Sequence, residues 1–90
     1  MKEKNKTEGI INFRKQRRKF RVTFLAEVYY EDGSESLVPM NRNCIIDGVN
    51  RGETETFEQL SKKLEDRLDE LLPNNTCVNY IQDAEYVGVA

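Results

Sequence analysis

The chain has 90 residues, 38% of them hydrophobic and 33% charged, with no histidine, two cysteines and a formal net charge of −2. This length predicts one small domain, and the hydrophobic content allows only a thin core, which homodimer formation would supplement. The absence of histidine excludes the usual catalytic triads and the commonest general base, and two cysteines without histidine do not make a zinc site.

Charge is divided unevenly along the chain. Residues 1–21 contain nine Lys or Arg against two Glu, whereas residues 22–90 contain five against fourteen acids. This division predicts a largely flexible basic arm, residues 1–19, followed by a single acidic domain, residues 20–90. The N-terminus lacks the apolar middle of a signal peptide, and no apolar run is long enough to span a membrane. We therefore expect a cytoplasmic protein.

A dense group of cations lies where the arm meets the domain, and residues 10–19 fit either a short helix or a short strand. This density of positive charge permits several phosphate contacts, and the rings of Phe13 and Phe20 on either side can stack on bases. The alternative is a solvated tail, or a tail folded against the acidic body of its own or a partner chain. The candidate nucleic-acid-binding residues are Arg14, Lys15, Arg17, Arg18, Lys19 and Arg21.

Residues 20–31 form the first predicted strand, because apolar and polar side chains alternate there with a period of two. Asp32 and Gly33 then predict a two-residue hairpin turn. The return strand is predicted over residues 35–40. This turn would place Val28 opposite Leu37 and Tyr30 opposite Glu35.

Pro39 marks the return strand as an edge strand, or as ending there, because proline cannot donate a hydrogen bond to a neighbouring strand. Residues 41–43 are predicted to form a turn or bulge. Residues 44–46 are a short apolar piece for which a continuation of the second strand is one interpretation. Gly48 and Gly52 mark the loop that leads into a helix.

Residues 56–72 predict an amphipathic helix. Thr56 is a suitable N-cap, Gln59 stands three residues later as in a capping box, and Pro73 ends the helix. Apolar side chains repeat every three or four positions and form one narrow stripe. The stripe contains Phe57, Leu60, Leu64, Leu68 and Leu71.

Five acids lie on this helix, and four of them crowd its last two turns. The helix dipole disfavours each acid near the C-terminus by ~0.3–1 kcal/mol at low salt, and no Lys or Arg follows Arg67 in the chain. One interpretation is an ordinary solvated helix face. The other is an acidic binding surface that is kept at some cost to helix stability. The residues of this candidate surface are Glu58, Glu65, Asp66, Asp69 and Glu70.

Two further strands are predicted over residues 76–81 and 85–89, with a turn at residues 82–83 between them. The predicted order is therefore ββαββ. This order indicates the α+β class, with an antiparallel sheet of three to four strands and one amphipathic helix packed on one face. Burial of the leucine stripe against the sheet would turn the acids of the helix towards water.

The chain has no catalytic, metal-binding or nucleotide-binding motif. Neither Cys44 nor Cys77 has a histidine to activate it, and the helix carboxylates are expected to be too exposed for shifted pKa values. We expect a protein that is not an enzyme and that needs no metal or cofactor. The two cysteines are expected to be reduced and to pack as small hydrophobic residues, with a disulfide between them as the alternative.

In size, in its acidic α+β body and in its lack of catalytic motifs, the chain resembles small phage-encoded proteins that act as DNA mimics. Proteins of that kind bind restriction enzymes, polymerases or the histone-like nucleoid protein HU. The resemblance lies in the charge layout of residues 22–90 and in no shared motif, and the basic arm departs from it. It implies an inhibitor that blocks a basic DNA-binding protein through the helix acids, in the cytoplasm of a bacterial host. The alternative function is nucleic-acid binding by the basic arm.

Overall fold

The computed structural model describes residues 16–49 and 53–90. Three strands and one helix occur in these ranges: β1 (Arg17–Tyr29), β2 (Glu35–Asp47), α1 (Phe57–Leu71) and β3 (Thr76–Val89). The strands form one antiparallel sheet in the order β2-β1-β3. The α+β class is confirmed, with the element order ββαβ. Predictions for residues 1–15, which include Arg14 and Lys15, lie outside the described residues.

The central strand, β1, begins earlier than predicted. Its first residue is Arg17 rather than Phe20, so the predicted boundary between arm and domain falls inside this strand. Its even-numbered apolar side chains are buried under α1, and its odd-numbered side chains point to the opposite face of the sheet. The cations of residues 17–21 are therefore divided between the two faces.

The hairpin between β1 and β2 has one loop residue more than predicted. The Tyr30 N–H donates to the Ser34 carbonyl (2.9 Å) and the Gly33 N–H donates to the Tyr30 carbonyl (3.0 Å), which encloses a three-residue loop, residues 31–33. Gly33 has a φ of 89°, a left-handed conformation that glycine adopts without steric cost. Loops of this length commonly place glycine in that conformation.

The longer loop moves the register of the hairpin by one residue, so the predicted pairs are wrong. Tyr29 pairs with Glu35, and Val28 pairs with Ser36. Because side chains alternate along a strand, a shift of one residue moves every β2 side chain to the other face of the sheet. Leu37 therefore pairs with Glu27 on the face away from α1.

The second strand is continuous, and the turn or bulge predicted at residues 41–43 is not formed. β1 is long enough to pair with β2 without interruption from one end to the other. Residues 44–46 continue the strand, and Cys44 and Ile46 in it are buried. Pro39 lies in an edge strand, as predicted.

The predicted third and fourth strands are one strand, β3. Residues 82–83 do not form a turn, and Gln82 is left without a partner in β1 at a shift of register. Two further shifts leave Asn79 and Val87 unpaired in the same way. Since β1 offers 13 residues for pairing, residues 76–89 run along it to the end and bend at these irregularities. The four-strand order ββαββ is therefore wrong.

The helix begins and ends as predicted. The Gln59 N–H donates to Thr56 Oγ1 (3.1 Å) and the Thr56 N–H donates to Gln59 Oε1 (2.9 Å), which completes the capping box. At the other end, Leu72 has an extended backbone, as residues before a proline prefer. Local signals at both ends thus set the bounds of α1.

Only the middle of the predicted apolar stripe is fully buried. Leu64 and Leu68 are 0% and 1% exposed, whereas Phe57 and Leu71 are 59% and 54% exposed. Leu72 packs against the core just beyond Leu71. The buried core consists of Phe20, Val22, Phe24, Ala26, Cys44, Ile46, Leu64, Leu68, Val78 and Ile81. Within the described residues, no helix has the length and apolar character needed to cross a membrane.

Both cysteines are free. Cys44 is buried in the core, as predicted, and pairs with Phe20 on the face covered by α1. Cys77 is half-buried and pairs with Glu27 on the opposite face. Because the two thiols lie on different faces of the sheet, the alternative disulfide is not formed.

Candidate binding surface

Among the described elements, α1 covers one face of the sheet, and none covers the other face. We call the solvent-exposed side of α1 the helix surface. The strand side chains that point away from α1 form the other side of the sheet, which we call the open face. The predicted acids lie on the helix surface, four of them exposed and Glu65 half-buried.

Two acids of the helix surface have cationic partners. Asp66 Oδ1 lies 3.1 Å from Lys62 Nζ, and Glu70 Oε1 lies 2.8 Å from Arg67 Nη1. Each cation precedes its acid by three or four residues, so the absence of basic residues after Arg67 does not leave these carboxylates unpaired. Because the side chains are exposed, each pair contributes at most ~1 kcal/mol to stability.

Two other acids, Glu58 and Glu65, form no ion pair with any cation that the structure describes. Both lie on the flank of α1 that borders residues 78–81 of β3. Lys63 and Arg67 lie on the other flank, beside the end of β2. Lys62 lines the first flank together with Glu58 and Glu65, and Asp66 and Glu70 line the second together with Lys63 and Arg67, so each flank carries charges of both signs.

Asp69 has a structural contact that the sequence did not reveal. Its Oδ1 accepts a hydrogen bond from the main-chain N–H of Val78 (2.8 Å), which ties the last turns of α1 to β3. An acid that is misplaced with respect to the helix dipole is thus held by a charged hydrogen bond, which contributes ~1.5–3 kcal/mol. This contribution exceeds the ~0.3–1 kcal/mol that the dipole costs.

Glu55 forms two ion pairs that join α1 to the sheet. The sequence did not reveal them either. Arg18 donates from Nη1 to Glu55 Oε1 (2.9 Å) and from Nη2 to the Asp47 carbonyl (2.8 Å), and Lys63 Nζ lies 2.6 Å from Glu55 Oε2. The Glu55 side chain is only 11% exposed. The guanidinium of Arg18, and secondarily Lys63, lowers the pKa of Glu55. Arg18, one of the candidate nucleic-acid-binding residues, is thus held by Glu55 on the side of the sheet that α1 covers.

The remaining described cations of the basic segment form a row on the open face. Arg17, Lys19 and Arg21 alternate along β1, and all three are exposed. Alternate residues of a strand are ~7 Å apart. Arg21 Nη1 lies 3.5 Å from Glu85 Oε1, and both side chains are more than half exposed, so this pair is weak. We call these three residues the basic row.

A second group of acids lies around the hairpin and was not predicted as a site. The segment from residue 22 to residue 41 contains four acids and no Lys or Arg, and this was the signal in the sequence. None of them forms an ion pair with a cation in the described ranges. Asp32 accepts hydrogen bonds from the Ser34 hydroxyl (2.6 Å) and N–H (2.9 Å), which lower its pKa. The group consists of Glu27, Glu31, Asp32 and Glu35.

The carboxylate of Glu27 helps to raise the pKa values of two neighbouring groups, Tyr29 and Cys77. The Tyr29 hydroxyl donates to Glu27 Oε1 (2.8 Å), and this bond is the main cause that raises the pKa of Tyr29 to about 12. Burial, and then the charge of Glu27, raises the pKa of the Cys77 thiol, which lies 3.7 Å from Glu27 Oε1. A higher pKa keeps the thiol protonated and makes it a weaker nucleophile.

Comparison of the chain with protein-family models, with curated proteins and with solved structures found no match.

Proposed function

We propose that this chain is a non-enzymatic binding protein whose helix surface takes the place of DNA on a basic DNA-binding protein. The observation that supports this most directly is that Glu58 and Glu65, on one flank of α1, form no ion pair within the described residues; Lys62, which lines the same flank, pairs with Asp66 instead. Carboxylates without an ion-pair partner among the described residues can attract a positive partner and steer its approach.

The spacing of the acids agrees with this proposal. Glu58, Glu65 and Asp69 are separated by seven and four residues, which corresponds to ~10 Å and ~6 Å along a helix. These distances are similar in scale to those between charges on a nucleic-acid backbone. In this proposal the chain is a phage product that acts on a nucleoid or DNA-processing protein in the bacterial cytoplasm.

A competition experiment with the nucleoid protein HU tests the proposal. A fluorescent DNA duplex is first bound to HU, and the chain is then added while the anisotropy of the duplex is followed. We expect the duplex to be released at low salt and release to weaken as salt is raised, because exposed charges are screened within ~8–10 Å at moderate ionic strength. A duplex that stays bound at low salt, with the chain in large excess, contradicts the proposal for HU.

The basic row supports a second candidate function, the binding of single-stranded nucleic acid on the open face. Arg17, Lys19 and Arg21 alternate along β1 at a spacing of ~7 Å, which suits contacts with successive phosphates, and Arg17 also borders the groove beside Lys63 and Arg67. Tyr80 is 62% exposed and offers a ring on the same face. The unpaired acids of the hairpin oppose this function, because their field repels phosphates.

Titration of a labelled single-stranded oligonucleotide tests this second function. Binding by the parent chain that is lost in the variant Arg17→Gln/Lys19→Gln supports it. Arg42→Gln is the matched control, because Arg42 is an exposed cation that pairs with Val22 on the face covered by α1. Equal losses in the variant and the control indicate general charge attraction rather than a site on the open face.

A further inference from the structure

The open face carries an apolar row across all three strands. Leu25 in β1 pairs with Pro39 in β2 and with Tyr80 in β3, so these three residues form one row across the sheet. Pro39 and Tyr80 are exposed, and the neighbouring Leu37 is 56% exposed. An apolar row of this kind in the middle of a sheet face is typical of a surface that another molecule covers.

The free edges of the sheet are poorly suited to pairing with another strand. The Tyr29 N–H donates to the Asn75 carbonyl, next to β3. Because the N–H and C=O groups of successive residues in a strand point to opposite sides, those of Leu25, four residues before Tyr29, also point towards β3. The backbone of Pro39, the partner of Leu25, therefore points to the free edge of β2. Because proline has no N–H, the row of hydrogen-bond donors along this edge is interrupted there. The other edge, β3, is interrupted by three register shifts, which protect an edge in the same way.

Charges on the open face are arranged along the strands on either side of the apolar row. The basic row lies towards the start of β1, and the hairpin acids lie towards its end. Arg21 precedes Leu25 by four residues, and Tyr29, which pairs with Glu35, follows it by four. One end of the face therefore carries the basic row beside the acids Asp47, Asp83 and Glu85, and the other end carries acids without described cations.

We propose that the open face binds the open face of a second copy of this chain, with the strands of the two sheets antiparallel. A two-fold axis through the Leu25 row places that row against itself. It also places Arg21 opposite the Tyr29–Glu35 pair of the second copy, and Lys19 opposite Glu31. The parallel arrangement would bring like charges together, so charge selects the antiparallel one.

The size of the face is adequate for such an interface. Three strands of about 13 residues measure roughly 43 Å by 14 Å, or about 600 Å² before side-chain relief is added. A standard interface buries ~800 Å² on each partner. In this dimer both copies of α1 point outwards, so the helix surface stays accessible and the inference does not depend on the proposed function.

A charge-exchange experiment tests this arrangement by sedimentation in low salt. The parent is expected to be a dimer, and Arg21→Glu and Glu35→Arg are each expected to weaken dimerisation at least about tenfold, ~1.4 kcal/mol. The variant with both changes should recover the dimer, because the charges are exchanged across the interface. Arg42→Glu, on the other face, is the matched control and should leave the dimer unchanged.

Disulfide trapping checks the position of the two-fold axis without relying on charge. Tyr80→Cys in a Cys77→Ser background should oxidise to a linked dimer, since Tyr80 lies on the proposed axis. Tyr86→Cys, in the same background, pairs with Phe20 on the face covered by α1 and should not link. A parent that sediments as a monomer at its highest soluble concentration overturns the inference. A dimer that both single charge variants leave intact overturns it as well.

Discussion

Asp69 has a role in the structure that differs from the role its position in the sequence suggests. Its place near the end of α1 opposes the dipole, and its carboxylate holds the Val78 N–H. Because the hydrogen bond outweighs the dipole effect, we expect Asp69→Ala to lower the free energy of unfolding by ~1–2 kcal/mol. Asp66→Ala, which removes an exposed ion pair, should change it by less than ~1 kcal/mol. Urea unfolding of both variants measures the difference; equal midpoints contradict this role of Asp69.

Glu55 makes the stability of the fold sensitive to acid. Its pKa lies below the ordinary value of 4.5, mainly because of the hydrogen bond from Arg18. The folded protein thus favours the ionised carboxylate, and this contribution is present above pH 4.5 and lost as the pH falls through the lowered pKa. We expect Glu55→Gln to cost ~1.5–3 kcal/mol at pH 7, since it removes a charged partner of Arg18.

Thermal unfolding between pH 7 and pH 3 measures this effect. The parent should lose stability over the acidic part of this range, and Glu55→Gln should lose less of it, because the variant has no carboxylate there to protonate. Curves for parent and variant that stay parallel throughout contradict the role of Glu55 as the acid-sensitive group.

Tyr29 gives a second test of local electrostatics, at high pH. Its pKa of about 12 exceeds the ordinary value of 10.0, so the folded protein favours the protonated phenol. This contribution is present below pH 10 and is lost as the pH rises through 12. In an absorbance titration of the four tyrosines, we expect one to ionise near pH 12, and Tyr29→Phe to remove that step. Glu27→Gln should move the step towards 10; a step that does not respond to Glu27→Gln contradicts the assignment.

At the level of elements, local signals were predicted well and long-range ones were not. The bounds of α1 follow from Thr56, Gln59 and Pro73, all of which lie at its own ends. The hairpin register depended on whether Gly33 closes a loop of two or three residues, and Asp-Gly is compatible with both. β3 is one continuous strand because β1, about 60 residues earlier in the chain, is long enough to pair with all of it. The residues of β3 alone do not reveal this continuity.

The same distinction applies to the candidate surface. Helical spacing was enough to place the acids of α1 on its solvent side. It did not reveal the hydrogen bond from Val78 to Asp69 or the ion pair of Arg18 with Glu55, because these partners are distant in the chain. Which charges are free for a partner is therefore a property of the tertiary structure.

The position of each leucine in α1 predicts a sharp contrast in stability. Leu64 is fully buried, so Leu64→Ala should cost ~2–5 kcal/mol through lost burial and the cavity that remains. Leu71 is 54% exposed and serves as the matched control, for which we expect a change of less than ~1 kcal/mol. Chemical denaturation of both variants measures this contrast. Similar losses for the two would mean that the buried side of the helix is assigned wrongly.

Considered as a whole, the molecule presents two different surfaces on the two sides of one sheet. The helix side carries the acids of α1, and the open face carries the basic row, an apolar centre and the hairpin acids. The net charge of −2 does not reveal this layout, in which each side carries both cations and acids and the hairpin has acids without a described ion-pair partner. The proposed binding of a basic protein and the proposed self-association use different sides of the sheet.

The central claim is that the helix surface, and not net charge alone, competes with DNA. Its most direct test compares two variants that each lose two negative charges in the competition for HU. Glu58→Gln/Glu65→Gln alters the helix surface, and Glu31→Gln/Asp83→Asn alters exposed acids of the hairpin loop and the open face. We expect the first variant to release labelled DNA at least about tenfold less effectively than the parent, ~1.4 kcal/mol, and the second to resemble the parent. Equal competition by the two variants would contradict the claim.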